Sequence, residues 1–502
     1  MAQVTGLKSR VFKGISWLAF SRALAQIFTF VSTIILARLL SPSDFGLIGI
    51  ALVVENFMET LNKSGIITAI IQRKEMNNAV LSTVFWPNIG IGFLLFGLTA
   101  LISGNVADFF GAPQAQPLIA VLAFSMVLDS FGIVQGGVLR REMKFRSVGM
   151  REAFSALGYG VVAVSCALLG LGVWSLVAGA LARSLITAVV FWFAVSWRPS
   201  FEFYWKYFKE VYSFGFKVLL NGIVEFFRGN SDYALVGKIL GTYNLGIYTL
   251  SYNVATLAQS RITTIVSSAL APAYSRIQDD FDRLQDAASR AAQYLALVVF
   301  PASFGLAVVA PEFIRVVYGA KWEEAILPAQ ILLVGGALLA INPIIEKVIT
   351  AVGKPGVFAV LNAIRTIFLM GAIYTGLKLG GIVGVAWAVT ISVVIYTPIT
   401  HALAFRYIKG NVWKLWKGLG AIALISAFMA LGVWGFRPVF SDLVTSSAAL
   451  LVLEVLLGTV LYAALIFIFK PPAFKGILDL ALPILRERLW KISIFKPGAR
   501  VK

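Results

Sequence analysis

Residues 35–54 read ILARLLSPSDFGLIGIALVV, and residues 235–254 read LVGKILGTYNLGIYTLSYNV. At a constant offset of 200, Leu40 aligns with Leu240, Gly46 with Gly246 and Val54 with Val254. The exchanges Arg38 to Lys238 and Asp44 to Asn244 keep the charge or the shape of the side chain. Each segment is an apolar run, a short polar turn and a second apolar run, the pattern of a helical hairpin. A weaker echo joins Gly172-Val173 to Gly384-Val385. The chain therefore reads as an internal duplication, with one of these hairpins at the head of each copy.

Outward from the hairpins, hydropathy marks fourteen stretches: 15–38, 44–62, 80–103, 116–139, 150–169, 173–196, 214–237, 246–270, 291–310, 327–350, 356–377, 382–405, 418–436 and 446–469. Each is close to the roughly 20 residues that an α-helix needs to cross a bilayer. Of the 502 residues, 59% are hydrophobic and only 13% charged, and the mean hydropathy is +0.85, which excludes an ordinary soluble domain. The expected fold is an all-α polytopic membrane protein of 14 transmembrane helices. The first stretch follows Lys8, Arg10 and Lys13 as a signal peptide would, but it is too long for one and no small-residue cleavage site follows, so it reads as a retained helix.

The net charge of +19 would suggest a nucleic-acid partner in a soluble chain. Here the loops explain it. With loops and stretch ends assigned alternately to the two sides, 32 of the 43 basic residues fall on the side of both termini, six fall opposite, and five lie deeper within stretches. The positive-inside rule then puts both termini in the cytoplasm and argues against nucleic-acid binding. Both copies of the hairpin start from the cytoplasm, so the repeats are parallel and related by an axis along the membrane normal. The expected organisation is an N-lobe over 1–196, a cytoplasmic interfacial linker over 197–213, a C-lobe over 214–408, two extra helices over 409–470 and an amphipathic tail over 471–502. The linker segment FEFYWKYFKEVYSFGFK (201–217) interleaves aromatics with lysine, a composition that suits the membrane interface.

Little in the chain suggests catalysis. One cysteine and one histidine (His401) leave no partners for a Cys- or His-based metal site, and no P-loop, HExxH or GxSxG motif is present. The longest loops opposite the cytoplasm, about 104–115 and 311–326, are too short for a catalytic domain. No enzyme activity, metal or cofactor is expected.

The informative residues are charges within the apolar stretches. A charge at mid-membrane costs at least ~2.5 kcal/mol, so it faces protein or water and is a functional candidate. The arginines are Arg22, Arg183, Arg228, Arg261 and Arg365; the carboxylates Glu55, Asp129, Glu225 and Asp232 form a candidate coupling or charge network. Glu225, Arg228 and Asp232 lie at i, i+3 and i+7, one face of the seventh helix, with Asn221 and Asn230 beside them. Equivalent helices of two lobes, each with polar residues in its wall, describe a central cavity between the lobes. Arginine binds phosphate bidentately and stays charged when partly desolvated, so an arginine-bearing cavity points to an anionic substrate.

Several motifs resemble a known family. The segments GNSDYALVGKILGTYNLGIYTLSYNVATL (229–257), APAYSRIQDD (271–280), VLRREMKFRSVGMREAFSALGYGVVAV (138–164) and GLGVWSLVAGAL (170–181), with the hairpin at 35–51, are similar to the polysaccharide transporters of the multidrug/oligosaccharidyl-lipid/polysaccharide exporter superfamily. The likeness is to the colanic-acid-type exporters, the oligosaccharide flippases, and covers nearly all of residues 10–410. It implies two six-helix bundles whose cavity opens alternately to each side of a bacterial inner membrane. It implies a lipid-linked oligosaccharide, carried on undecaprenyl diphosphate and moved from the cytoplasmic to the periplasmic leaflet. By position, Arg22 and Arg228 would hold the diphosphate, with Arg261 and Arg183 behind them. Membrane lipids, a polysaccharide polymerase and other assembly proteins are the partners it implies. Two rivals stay open. A cation-coupled drug antiporter of the same fold would favour a carboxylate-dominated cavity, and a membrane polymerase or ligase would carry a large periplasmic loop.

Overall fold

The computed structural model describes residues 2–477 and Asp479, except Ser64, Lys74 and Ala258. Side chains are described from Trp17 onward, apart from positions 217, 221, 260–262, 264, 265, 268, 269, 355 and 359. The tail expected to be amphipathic lies outside the described residues from 480 onward.

Helix is the regular structure among the described residues, with no strand. The N-terminal part runs α1 (Ala2–Leu39), α2 (Pro42–Lys63), α3 (Ile66–Gln72), α4 (Asn78–Phe110), α5 (Ala115–Leu122), α6 (Phe124–Arg141), α7 (Phe145–Leu168) and α8 (Trp174–Ala194). There follow α9 (Trp205–Leu257), α10 (Ser260–Ser275), α11 (Phe281–Val317), a 3-10 turn (Ala320–Ala325), α12 (Ile326–Leu339) and α13 (Asn342–Ala351). The chain ends in α14 (Pro355–Tyr407), α15 (Val412–Leu443) and α16 (Ser447–Phe469).

The stretches read from hydropathy lie mainly on helix, with turns at 123, 259 and 340–341 inside three of them. Among the described residues, nine helical stretches are long and apolar enough to cross a membrane. One of them, Gly356–Tyr407, is 52 residues long and breaks at Gly380 and Gly381, so it holds two of the expected stretches. The stretches left out of the nine lie on α2, α7, α9 and α10, the helices that carry Glu55, Arg228, Asp232 and Arg261. α9 breaks in the same manner as α14, at Gly241 (φ 80°). Positive φ at Gly241 and Gly381 is strained for any residue with a Cβ, so glycine lets each pair of helices reverse without a loop.

The turn between α1 and α2 is written in the sequence. Ser41 and Asp44 make reciprocal side-chain bonds, Ser41 N–H to Asp44 Oδ2 at 2.9 Å and Asp44 N–H to Ser41 Oγ at 3.2 Å. This is a capping box with proline at the first helical position, so SPSD both stops α1 and starts α2.

By contact density the chain forms two compact units, one of Met1–Ser251, Val317–Ala325 and Asn362–Val385, the other of Tyr252–Val316, Ile326–Leu361 and Ala386–Lys502. In the first, buried Phe85 meets the rings of Trp86, Phe131, Trp192 and Trp197 at 5.3–6.4 Å. The chain following α8 is fastened there. Trp86 Nε1 donates to the Ser200 carbonyl at 2.9 Å, and Phe201 stacks on Trp86 at 4.7 Å. α9 then starts at Trp205 and runs without a break to Gly241, so the aromatic-lysine segment continues directly into the seventh stretch. In the second unit, Tyr274, Phe300 and Phe405 pack with Ile344, Ile345 and Ile349 of α13, and α15 joins through Leu415, Leu419 and Ile422.

Candidate functional site

The charges of α1, α2, α6 and α7 form two groups of ion pairs that feel each other electrostatically. Arg22 Nε donates to Glu152 Oε2 at 3.0 Å, and Arg151 Nη2 lies 3.7 Å from the other oxygen of Glu152. Arg151 is also within electrostatic reach of Asp129. Asp129 pairs with Lys63 at 2.7 Å, and Lys63 pairs with Glu59 at 2.5 Å. Glu55, one turn before Glu59 on α2, accepts a hydrogen bond from Ser125 Oγ at 2.8 Å and feels Asp129, Glu59 and Lys63. Three of the expected residues, Arg22, Glu55 and Asp129, thus belong to one network. Burying such charges is tolerable only while each has its partner.

On α9, Arg228 Nε donates to Glu225 Oε2 at 2.8 Å, a pair one turn apart and partly exposed. Asp232 lies apart from it, buried, accepting from Tyr248 Oη at 2.7 Å and from the Tyr233 N–H at 3.0 Å. The stripe read from the sequence therefore divides into an open ion pair and a buried carboxylate held by a phenol. Arg183 places its guanidinium 4.6 Å from the centre of the Tyr159 ring on α7. Arg365 is buried on α14. Arg261 starts α10, and its side chain, like that of Asn221, lies outside the described residues. Arg22, Arg183 and Arg228 keep separate partners, though Arg22 and Arg183 both act on α7.

Arg22 and Arg228 differ from buried Arg365 in exposure. Their side chains are about one-third exposed, 38% and 33%, and Glu152 and Glu225 are carboxylate partners of the two. A phosphate arriving at either guanidinium would compete with Glu152 or Glu225 for the same donors.

A second arrangement joins the repeated hairpins. A Cβ on Gly46 would sit 1.7 Å from the Thr242 carbonyl oxygen, and a Cβ on Gly246 would sit 1.8 Å from that of Pro42. Positions 42 and 242 are themselves equivalent under the offset of 200, so the contact is reciprocal. Two side loops repeat the exchange. Lys238 donates to the Phe109 carbonyl. From the other loop, Lys321 Nζ donates to the Arg38 and Leu40 carbonyls at 2.9 and 2.6 Å, and buried Trp322 donates through Nε1 to Ala37 at 2.9 Å. These contacts close the end of the hairpins that the charge pattern puts opposite the cytoplasm.

Sequence reading missed Lys63, Glu152, Tyr159 and Tyr248. Lys63 ends α2 and Arg151 lies near the start of α7, at the edges of the apolar stretches. Arg151 and Glu152 lie in the second turn of α7, which starts at Phe145.

The chain resembles known proteins over most of its length. The pattern of the family described as polysaccharide biosynthesis protein matches residues 35–327. The lipopolysaccharide biosynthesis protein WzxC of Escherichia coli is 26% identical over 414 residues, 81% of this chain and 83% of that protein. The succinoglycan biosynthesis transport protein ExoT of Rhizobium meliloti is 24% identical over 475 residues, 94% of this chain and 95% of that protein. Among solved structures, the lipid II flippase MurJ in an inward closed conformation is similar with a TM-score of 0.69 at 16% identity, covering 90% of this chain and 98% of that one. An inward-facing multidrug transporter of the MATE family has a TM-score of 0.63 at 15% identity, covering 78% and 98%. These likenesses establish the fold, a polytopic helical transporter fold.

Proposed function

The chain belongs to the polysaccharide biosynthesis protein family, and from that premise we propose that it is a flippase for a lipid-linked oligosaccharide, moving it across a bacterial inner membrane for surface polysaccharide synthesis. The observation that carries this reading is the reciprocal contact of Gly46 with Thr242 and of Gly246 with Pro42. Two repeats that meet through bare backbone at one end can part there and meet elsewhere, which alternating access requires. The names of WzxC, ExoT and the lipid II flippase support the substrate class.

In this reading the six-helix lobes are 1–196 and 214–408, the chain crosses the membrane fourteen times, and both termini are cytoplasmic. Arg22 and Arg228 receive the diphosphate from the cytoplasmic leaflet, with Arg183, Arg261 and Arg365 as further cavity cations. Binding frees Glu152 and Glu225 from their arginines. The loss of those pairs is the local event that the anion offsets, since a guanidinium exchanges one oxyanion for another without being left bare. Glu55, Asp129 and Asp232 make up the network that couples this exchange to movement of the helices. A polymerase and other assembly proteins act on the delivered repeat unit. Multidrug transporters share the fold, but two partly exposed arginines favour an anionic lipid over an organic cation.

Removing the protein from its native cells tests the reading. Lipid-linked repeat units should accumulate in the cytoplasmic leaflet while surface polysaccharide falls. Normal polysaccharide with no accumulated lipid would overturn it.

A further inference from the structure

Outside the charge network of the repeats, the second compact unit holds a different cluster. Glu312 of α11 and Glu454 of α16 are 3% and 0% exposed, and Arg437 of α15 reaches both. Arg437 Nη2 donates to Glu312 Oε1, and Arg437 Nε lies 3.8 Å from Glu454 Oε1, too far for a hydrogen bond. The remaining Glu312 oxygen and both Glu454 oxygens are buried with no hydrogen-bond partner. Three of four carboxylate oxygens in one buried cluster are therefore unserved.

The charges do not balance either. The groups acting electrostatically on Glu454 are Glu312 and Arg437. Glu454 is the sole charged residue of α16. The next titratable side chains along the other two helices, Arg315 on α11 and Asp442 on α15, are exposed. Two carboxylates facing one guanidinium would leave a net negative charge in an apolar wall, which is costly without donors. A single proton resolves both problems. It cancels the surplus charge, and the resulting carboxyl O–H is the donor that a neighbouring oxygen lacks. Arg437 keeps 29% of its side chain exposed, so the cluster is not sealed within the protein.

We propose that Glu312, Arg437 and Glu454 form a proton-binding site, in which the two carboxylates hold one exchangeable proton between them, and that this is the proton coupled to transport. α15 and α16 lie outside the duplicated helices, so the site would give this extra pair an active part in the cycle. The coupling rests on the flippase reading; the bound proton does not.

Infrared difference spectroscopy of the full-length protein in lipid nanodiscs tests the binding. At neutral pH the wild type should show the carbonyl stretch of a protonated carboxyl that is lost in both Glu454→Gln and Glu312→Gln. Either variant leaves one carboxylate paired with Arg437 and needs no shared proton. A difference spectrum in which neither variant loses such a band overturns the proposal, as does loss of the wild-type band on adding sodium at fixed pH. In proteoliposomes, transport by Glu454→Gln should lose its dependence on a pH gradient. Retention of that dependence with the band gone overturns the coupling. No transport by the wild type, with the band present and lost in both variants, would strike the flippase reading and leave the proton site standing.

Discussion

Substituting Gly246 by alanine adds one methyl group where the structure has no room for it. Its Cβ would lie 1.8 Å from the Pro42 carbonyl oxygen and 2.7 Å from the Pro42 carbonyl carbon. These are backbone atoms, so no side-chain rotation relieves the clash. An ordinary contact near ~3.4 Å requires α2 and α9 to separate by about 1.6 Å. Overpacking of this kind costs about 1–3 kcal/mol, and the cost falls only on the state in which the hairpins meet. Within the helix itself alanine is favoured over glycine by about 1 kcal/mol, so the substitution does not unfold α9. The closed end should therefore lose population by about 5- to 150-fold relative to the open one. Thiol labelling reads this directly. Cys166 is the sole cysteine, and Cys166→Ser clears the background. With Thr249→Cys as reporter, close to Gly49 in the same contact, Gly246→Ala should raise the labelling rate by a membrane-impermeant maleimide added from outside. Gly46→Ala should act likewise against Thr242, and the double substitution more strongly. Unchanged labelling in all three, at normal protein levels, would refute the view that this backbone contact is a closed gate.

Arg228→Ala and Arg22→Ala should insert and accumulate normally, because each breaks a partly exposed ion pair contributing no more than about 1 kcal/mol. Both should nevertheless reduce export ten- to hundredfold, as expected for loss of a charge-assisted hydrogen bond worth roughly 1.5–3 kcal/mol; Arg→Lys should rescue only in part, and protein level with exported polysaccharide measured in the same cells checks this. Lys63→Met should behave differently, leaving Asp129 and Glu59 without their cation and lowering the thermal unfolding midpoint by several degrees, which a fluorescence melt in detergent detects. Reporter fusions after Phe110, Gly319 and Arg437 should read as periplasmic, and those after Lys74, Arg146 and Asp280 as cytoplasmic; a cytoplasmic reading at Gly319 would contradict the orientation.

Much of the fold was legible because a membrane restricts what a chain can do. Apolar stretches must be helices, and the duplication survived where geometry leaves no freedom, at Gly46 and Gly246, which press on each other's hairpin. The polar partners were harder to see. Lys63 meets Asp129 across 66 positions of sequence, and nothing in the periodicity of α2 identifies a partner on α6. Glu152 follows five basic residues, Arg140, Arg141, Lys144, Arg146 and Arg151, and nothing in the spacing tells that it turns toward Arg22 on α1. Glu225, Arg228 and Asp232 all lie on α9, yet spacing along one helix does not tell that Asp232 is taken by Tyr248 beyond the break at Gly241. Hydropathy also misses such a break, because glycine reverses the chain without a polar loop.

The central claim is lipid translocation by this chain. Purified protein reconstituted into vesicles with an undecaprenyl-diphosphate-linked oligosaccharide measures it, with the fraction of glycan reached by a membrane-impermeant glycosidase followed over time. The account predicts that the protected inner-leaflet fraction becomes accessible in vesicles holding the wild type and far more slowly in those holding Arg22→Ala with Arg228→Ala. A protected fraction that persists in wild-type vesicles as it does in protein-free ones would contradict the account.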